Sequence, residues 1–305
     1  MILLQGAKER VERLFFSPSG NALVVPFTGS VWLWEDVLAG GRPIVFEGER
    51  TSSVQSIPSG SRMLFDGPRV SIRDNAGRLE QFLRFAPPLP EAAQAAVSPD
   101  GRFLVFAQHE YLDHDKGRLV CRSLDDPATD LWSVPGIHRF PSRPLFLPGG
   151  KGFVAMEWWN GESGSDYGPA WMTRDTRTGH VVSESLEQGK GYRELIQSAD
   201  LSHVVGLSGS HLAIYRIDAL VAPVATLRND SRKILTGAAF HPGGRILAAT
   251  SNDHTVKFYD TATWGRVGGF DWEVGRLRSV AFSADGCLAA AGSDKGRIVV
   301  WDVES

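Results

Sequence analysis

Cysteine is nearly absent from this sequence: Cys121 and Cys287 are the only two in 305 residues. A disulfide framework is therefore not indicated, and both thiols, set in apolar or strand-like runs, are expected to be free and buried. Long apolar runs are missing too. Ile2-Leu3-Leu4 gives way at once to Gln5, Lys8, Glu9 and Arg10, far short of a signal peptide or a membrane span, so a reducing, cytoplasmic setting is expected. Neither sign of charge dominates. The 32 Lys and Arg stand against 35 Asp and Glu, a net charge of -3, and the basic residues are scattered, which argues against nucleic acid or a membrane surface as partner. Helical 3.6-residue periodicity is also wanting, which removes stacked helix pairs from consideration.

What the chain does have is apolar and aromatic bulk, 42% hydrophobic residues with 16 Phe and 9 Trp, enough for a sizeable core. Its 33 Gly and 17 Pro suit a fold with many tight turns. The clearest unit is Leu277 to Asp302. Residues Ser279 to Phe282 alternate apolar and polar, Ser283-Ala284-Asp285-Gly286 reads as a turn, and Cys287 to Ala291 runs apolar. A second turn at Ser293-Asp294-Lys295-Gly296 leads into Ile298 to Trp301, and Asp302 closes the strand. Three antiparallel strands in so short a stretch cannot bury their own faces, so the unit must stack on neighbours.

The first turn of that unit serves as a ruler, because a type I turn prefers Pro second, Asp third and Gly fourth. It recurs at Ser17-Pro18-Ser19-Gly20, Ile57-Pro58-Ser59-Gly60, Ser98-Pro99-Asp100-Gly101, Leu147-Pro148-Gly149-Gly150, Ser198-Ala199-Asp200-Leu201 and His241-Pro242-Gly243-Gly244. Between second residues the intervals are 40, 41, 49, 51, 43 and 42, close to the period of about 40 to 45 residues of a four-stranded blade. Seven units follow, starting near 11, 52, 93, 142, 193, 234 and 277. Asp ends most third strands, at Asp74, Asp175, Asp218, Asp260 and Asp302. Fourth strands are expected at Pro43 to Phe46, Gln81 to Phe85, Asp130 to Ser133, His180 to Leu186, Ala222 to Leu227 and Arg266 to Phe270. The seventh unit has none of its own, and Met1 to Gln5 is expected to supply it. The expected fold is all-β, a single domain over residues 1–305: a seven-bladed β-propeller of four-stranded antiparallel blades, closed by the N-terminal strand.

On these residues the chain resembles the WD-repeat β-propeller family, most closely at Leu235 to Asp260 and Leu277 to Asp302. Ser251 to Asp260 is similar to the family signature, with Asp253 and Asp294 at its turn aspartate and Trp301 at its Trp. The family's Gly-His before the first strand is not matched, since the only Gly-His, Gly179-His180, falls between a third and a fourth strand. The hydrogen-bond network built on that His is therefore in question in every blade. The resemblance implies a partner-binding platform whose working face carries the loops into first strands and between second and third strands.

Two sets of residues on that face are candidates. The pairs leading into the first strands are Glu12-Arg13, Ser52-Ser53, Ala93-Gln94, Ser142-Arg143, Arg193-Glu194, Thr236-Gly237 and Arg278-Ser279. Arg13, Arg143, Arg193 and Arg278 would offer planar guanidinium forks to an acidic peptide, or else pair with glutamates on a solvated rim. The second set lies in two insertions between second and third strands, His109 to Lys116 and Glu157 to Gly168. These carry Tyr111, Asp113, Trp158, Trp159 and Tyr167, aromatic anchors beside carboxylates that would favour a basic ligand, or else covers for the ends of their own blades.

His109, Asp113, His114 and Asp115 are of metal-ligating type, but a zinc protease needs its His-Glu-x-x-His on a helix, and this run belongs to a hairpin. No nucleophile elbow and no phosphate loop is present. The reading is a non-catalytic scaffold for a protein or peptide, monomeric, with no cofactor and no metal. The competing reading is a propeller hydrolase, metal-dependent or not, acting through the long loops.

Overall fold

The alternating stretches fold into strands and the Gly/Pro-rich punctuation into turns, with no helix among the described residues. The computed structural model describes the chain except residues 7, 18, 28, 48–52, 57–61, 67–68, 74–78, 84–93, 110–116, 127–128, 136–143, 161–166, 187–190 and 304–305; within 47–94, 108–117 and 157–169 it describes the backbone alone.

Seven four-stranded antiparallel sheets follow one another along the chain. The first holds Phe15–Phe16, Leu23–Phe27, Ser30–Trp34 and Ile44–Glu47, and the second Ser53–Ser56, Arg62–Asp66, Arg69–Arg73 and Leu79–Leu83. Gln94–Val97, Phe103–His109, Gly117–Ser123 and Asp130–Pro135 make the third; Leu145–Phe146, Gly152–Asn160, Tyr167–Asp175 and Val181–Leu186 the fourth. The fifth holds Glu194–Gln197, His203–Ser208, His211–Arg216 and Ala225–Arg228, and the sixth Leu235–Phe240, Ile246–Ser251, Thr255–Asp260 and Arg266–Asp271. In the seventh, Leu277–Phe282, Leu288–Ser293 and Arg297–Asp302 are joined by Ile2–Gln5, which pairs antiparallel with Arg297 to Val300. The fifth sheet's outer strand starts three residues later than expected, at Ala225, because Pro223 has no N–H to give a ladder.

The core lies between sheets. On Arg297–Asp302, Ile298 and Val300 pack with Val25 and Trp34 of the first sheet, whereas Val299 and Trp301 pack with Ala248 and Val256 of the sixth. A strand buried on both faces reads as a continuous apolar run, which is why Ile298 to Trp301 does not alternate. The same arrangement joins the sixth sheet to the fifth through Leu247 and Ile214, the fifth to the fourth through Tyr215 and Trp171, and the fourth to the third through Phe153 and Val105.

The ruler turns form with the expected i to i+3 bond. Gly20, Gly101, Gly150, Leu201, Gly244 and Gly286 donate N–H to Ser17, Ser98, Leu147, Ser198, His241 and Ser283 at 2.8–3.0 Å, all six with positive φ. The turn at 57–60 lies outside the described residues. Where Ser opens the turn, its hydroxyl works twice. Ser98, Ser198 and Ser283 each donate Oγ–H to the carboxylate two residues on, Asp100, Asp200 or Asp285, at 2.5–2.6 Å. Each also accepts from the backbone N–H five residues on, at 2.9 Å. These bonds to the ionised form lower the pKa of all three carboxyls, that of Asp200 to about 2 with help from Ser202.

The strand-closing aspartates have their own reason. Asp36, Asp175 and Asp260 each accept, through Oδ1, the N–H groups two and three residues on, forming Asx-turns that start the chain back toward the fourth strand. Asp218 instead takes a two-pronged contact from Arg216.

Candidate functional site

The residues leading into the inner strands turn out to be stitches between sheets. Arg193 Nη2 donates to the carbonyls of Thr236 at 2.7 Å and Leu235 at 3.2 Å, Thr236 Oγ1 donates to Leu277 O at 2.7 Å, and Ser279 Oγ donates to Val11 O at 2.7 Å. Gln197 adds a fourth stitch, its amide nitrogen reaching Phe146 O at 2.7 Å. Arg193 is thus not the open fork expected of it. Carbonyls at strand starts need donors, and this guanidinium, exposed as it is, supplies two.

The other rim arginines differ. Arg278 is half-buried, with Nε buried and lacking a hydrogen-bond partner. Arg13 is exposed and interacts within the chain, as does Glu194. Arg143 lies outside the described residues.

The two insertions divide in the same way. Tyr111 and Asp113 lie outside the described residues, as does the rest of the metal-like run after His109, which itself ends a strand. In the fourth sheet the expected loop is largely ladder: Gly152–Asn160 and Tyr167–Asp175 are nine residues each. Trp158 pairs with Pro169, Trp159 with Gly168 and Asn160 with Tyr167. Trp158, Trp159 and Tyr167 therefore stand on a hairpin, not in a loop. The aromatic run Trp158-Trp159 has high strand propensity and carries the ladder past Glu157, where the apolar run Phe153 to Met156 ends. Among the described residues, the flanking strands do not follow it that far. Leu145–Phe146 pairs only with Phe153 and Val154, and Val181–Leu186 pairs back only to Ala170.

A polar cluster in the sixth sheet was not anticipated. Buried Asn229 donates from Nδ2 to Ser251 Oγ and Lys233 O, both at 2.8 Å, and Ser251 Oγ in turn accepts from Asp253 N. Asp253 accepts from Ser231, from Thr255 and, at 2.7 Å, from Lys257 Nζ, whose side chain is 3% exposed. Burial opposes ionisation of Asp253, but the Lys257, Ser231 and Thr255 contacts outweigh it and hold the carboxyl well below its usual range. A turn network therefore exists here without a Gly-His, built on Asn229. Its signal in the sequence was faint, a single Asn 22 positions before its serine.

The two thiols part company. Cys121 is buried, and burial followed by the Asp130 charge pushes its pKa up to about 12. Cys287 is exposed, contrary to expectation, because it sits directly after the turn Ser283 to Gly286 and ahead of the strand that starts at Leu288. Among the described residues, no group of three or more His, Cys, Asp or Glu is placed to hold a metal ion, and no helix is long and apolar enough to cross a membrane.

The family model of the WD domain, G-beta repeat, matches residues 222–260 and 271–302, the stretches that form most of the sixth and seventh sheets. Those two stretches are similar to WD repeats, and the four-stranded sheets are consistent with a WD-repeat propeller. It is similar to pre-mRNA-processing factor 19 homolog 2 of Arabidopsis thaliana, 32% identical over 81 residues, and to pre-mRNA-processing factor 19 of Oryza sativa subsp. japonica, 34% identical over 68 residues. Those stretches are 26% and 22% of this chain, and they span only 15% and 13% of the relatives.

Proposed function

We propose that the seven sheets are the blades of one closed ring, a single domain over residues 1–305, and that it serves as a non-catalytic scaffold gripping a protein or peptide partner. The grip lies on the face where second strands turn into third strands. Trp158, Trp159 and Tyr167 of the fourth sheet act with Tyr111 and Asp113 of the third, and Arg13, Arg143 and Arg278 lie toward the centre. Arg193 is left out, since its guanidinium serves the neighbouring sheet.

One observation carries this reading. The fourth sheet's central hairpin runs beyond both of its flanking strands, so that among the described residues Trp158 to Asn160 have a ladder partner on one side only. Its aromatic and acidic composition suits an interface that takes a basic segment. The relatives' name refers to pre-mRNA processing, but a similarity confined to 81 and 68 residues supports the repeat and not the pathway. The scaffold is proposed to act in the cytoplasm, as a monomer when alone, without metal or cofactor and without nucleic acid or membrane as partner.

The test is an affinity capture with the full chain as bait, beside a Trp158→Ala, Trp159→Ala variant of unchanged circular dichroism and melting temperature. A protein retained by the parent and lost from the variant supports the grip. Identical sets of captured proteins rule it out.

A further inference from the structure

The fifth, sixth and seventh sheets share a position five residues before the ruler turn, held by Arg193, Thr236 and Arg278. The first two are stitches: Arg193 Nη2 and Thr236 Oγ1 donate to the carbonyls of Leu235 and Leu277, each at the start of the next sheet's inner strand. By the same geometry Arg278 would reach Val11 O, but Ser279 Oγ already holds that carbonyl at 2.7 Å. Arg278 is left over. Among the described residues its guanidinium makes no hydrogen bond and no ion pair, and Nε is buried without a partner.

The backbone that carries this side chain is closely held. The register shifts between Leu277 and Ser279, so Arg278 is the bulged residue of its strand, and bulges re-aim a side chain away from the ladder. In the sixth sheet, a Cβ on Gly237 would lie 2.9 Å from Arg278 O and 3.3 Å from Ser279 Cα, so the bare backbone there lets the two strand entries close on each other. A cation half-buried on a fixed backbone and left unpaired is destabilising until an anion meets it.

We propose that Arg278 receives an oxyanion, a carboxylate or phosphate group on a side chain of the bound partner. The proposal rests on the reading that this face grips a protein, and it adds what the centre of that grip recognises. A guanidinium presents Nε–H and one Nη–H as a parallel fork that matches two oxygens of such a group, and burial of Nε keeps water from competing for one prong. Arg193 holds the equivalent position, but its Nη2 is engaged by the carbonyls of Leu235 and Thr236.

The experiment follows the arginine Nε–H signals of the full chain, labelled with nitrogen-15, by NMR. Glutamate or phosphoserine, each blocked as its acetyl amide, is added at constant ionic strength, with blocked glutamine as the uncharged control. The Arg278 signal is identified by its loss in Arg278→Lys, which keeps the charge and the aliphatic stem. That signal is expected to move saturably, with a dissociation constant on the order of 1–10 mM, while the Arg193 signal stays in place. The tighter of the two ligands shows whether the group is a carboxylate or a phosphate. Because the guanidinium has no partner to lose, Arg278→Lys should melt within about 2 °C of the parent. The proposal is overturned by a larger drop, which would reveal a structural contact, and by an equal response to glutamine or at Arg193. An absence of saturable shift also overturns it and leaves ordered water as the partner of Nε. No partner protein enters this measurement, so its failure is distinct from failure of the hairpin grip, which the capture with the Trp158→Ala, Trp159→Ala variant tests.

Discussion

Ser279 donates its hydroxyl to the carbonyl of Val11, a residue 268 positions earlier, across 2.7 Å in a buried setting. The bond ties the seventh sheet's inner strand to the segment leading into the first. Removing the donor leaves a buried carbonyl without this partner. Ser279→Ala should therefore lower the unfolding free energy by about 1–3 kcal/mol, measured as a shift in urea midpoint at unchanged m-value.

Deleting residues 1–5 should do more. The outer edge of Arg297–Asp302 would lose its ladder partner, and Leu4, which packs with Val25 and Ile298, would leave the core. The expected outcome is a lower melting temperature together with concentration-dependent association by size-exclusion chromatography, because a bare strand edge invites pairing. An unchanged melt would refute the closed ring.

The fifth unit places Leu201 where the other described ruler turns place glycine, at φ 61. A Cβ in the left-handed region is strained, so Leu201→Gly should stabilise the fold by about 1 kcal/mol, less whatever backbone entropy the glycine adds to the unfolded chain. Thermal denaturation checks the sign. Leu201→Val should go the other way.

Acid should find the ruler turns. Hydrogen bonds from Ser198 and Ser202 bring the pKa of Asp200 down from the ordinary aspartate value of 3.8 to about 2, so its stabilising contribution is fully present above about pH 4 and fades as pH falls toward 2. Asp100 and Asp285 shift in the same direction. Asp200→Asn should be less stable than the parent at pH 6, with the gap narrowing as both are titrated from pH 4 to pH 2. A gap independent of pH would show that the charge is not what matters.

The thiols should react in two phases. Cys287 is exposed and should be modified by a disulfide reagent in the native state, whereas Cys121, buried and with its pKa pushed up to about 12, should react only in denaturant. Simultaneous modification of both in native buffer would contradict the burial of Cys121.

Much of this architecture is legible in the sequence because turns depend on local chemistry. A serine, a proline or alanine, an aspartate and a glycine specify a turn from within four residues, and their recurrence sets the period. The continuous run Ile298 to Trp301 likewise announces a strand buried on both faces. What the sequence hides is whatever rests on partners far along the chain. The carbonyls that occupy Arg193 lie 42 and 43 positions away, and nothing near Arg193 marks it as a stitch. The hairpin from Gly152 to Asp175 outruns its sequence signal for a different reason: the apolar run Phe153 to Met156 ends at Glu157, while the ladder needs only backbone pairing and continues past it. Asn229 is a third kind of case, a different side chain in a role for which the family signature gives another residue.

The ruler turns also meet one another. A Cβ on Gly20 would touch the carboxylate of Asp285, one on Gly150 would touch Pro99, and one on Gly286 would run into His241. Each of these glycines is overlapped by the turn of the unit before it, as one roof tile by the next. The extra residues of the third and fourth units enter at the opposite end of the second strand, away from these overlaps. Lengthening a hairpin there leaves the seams untouched, so that end of a sheet can be rewritten through insertion and drift while the joints that hold the units together stay as they were.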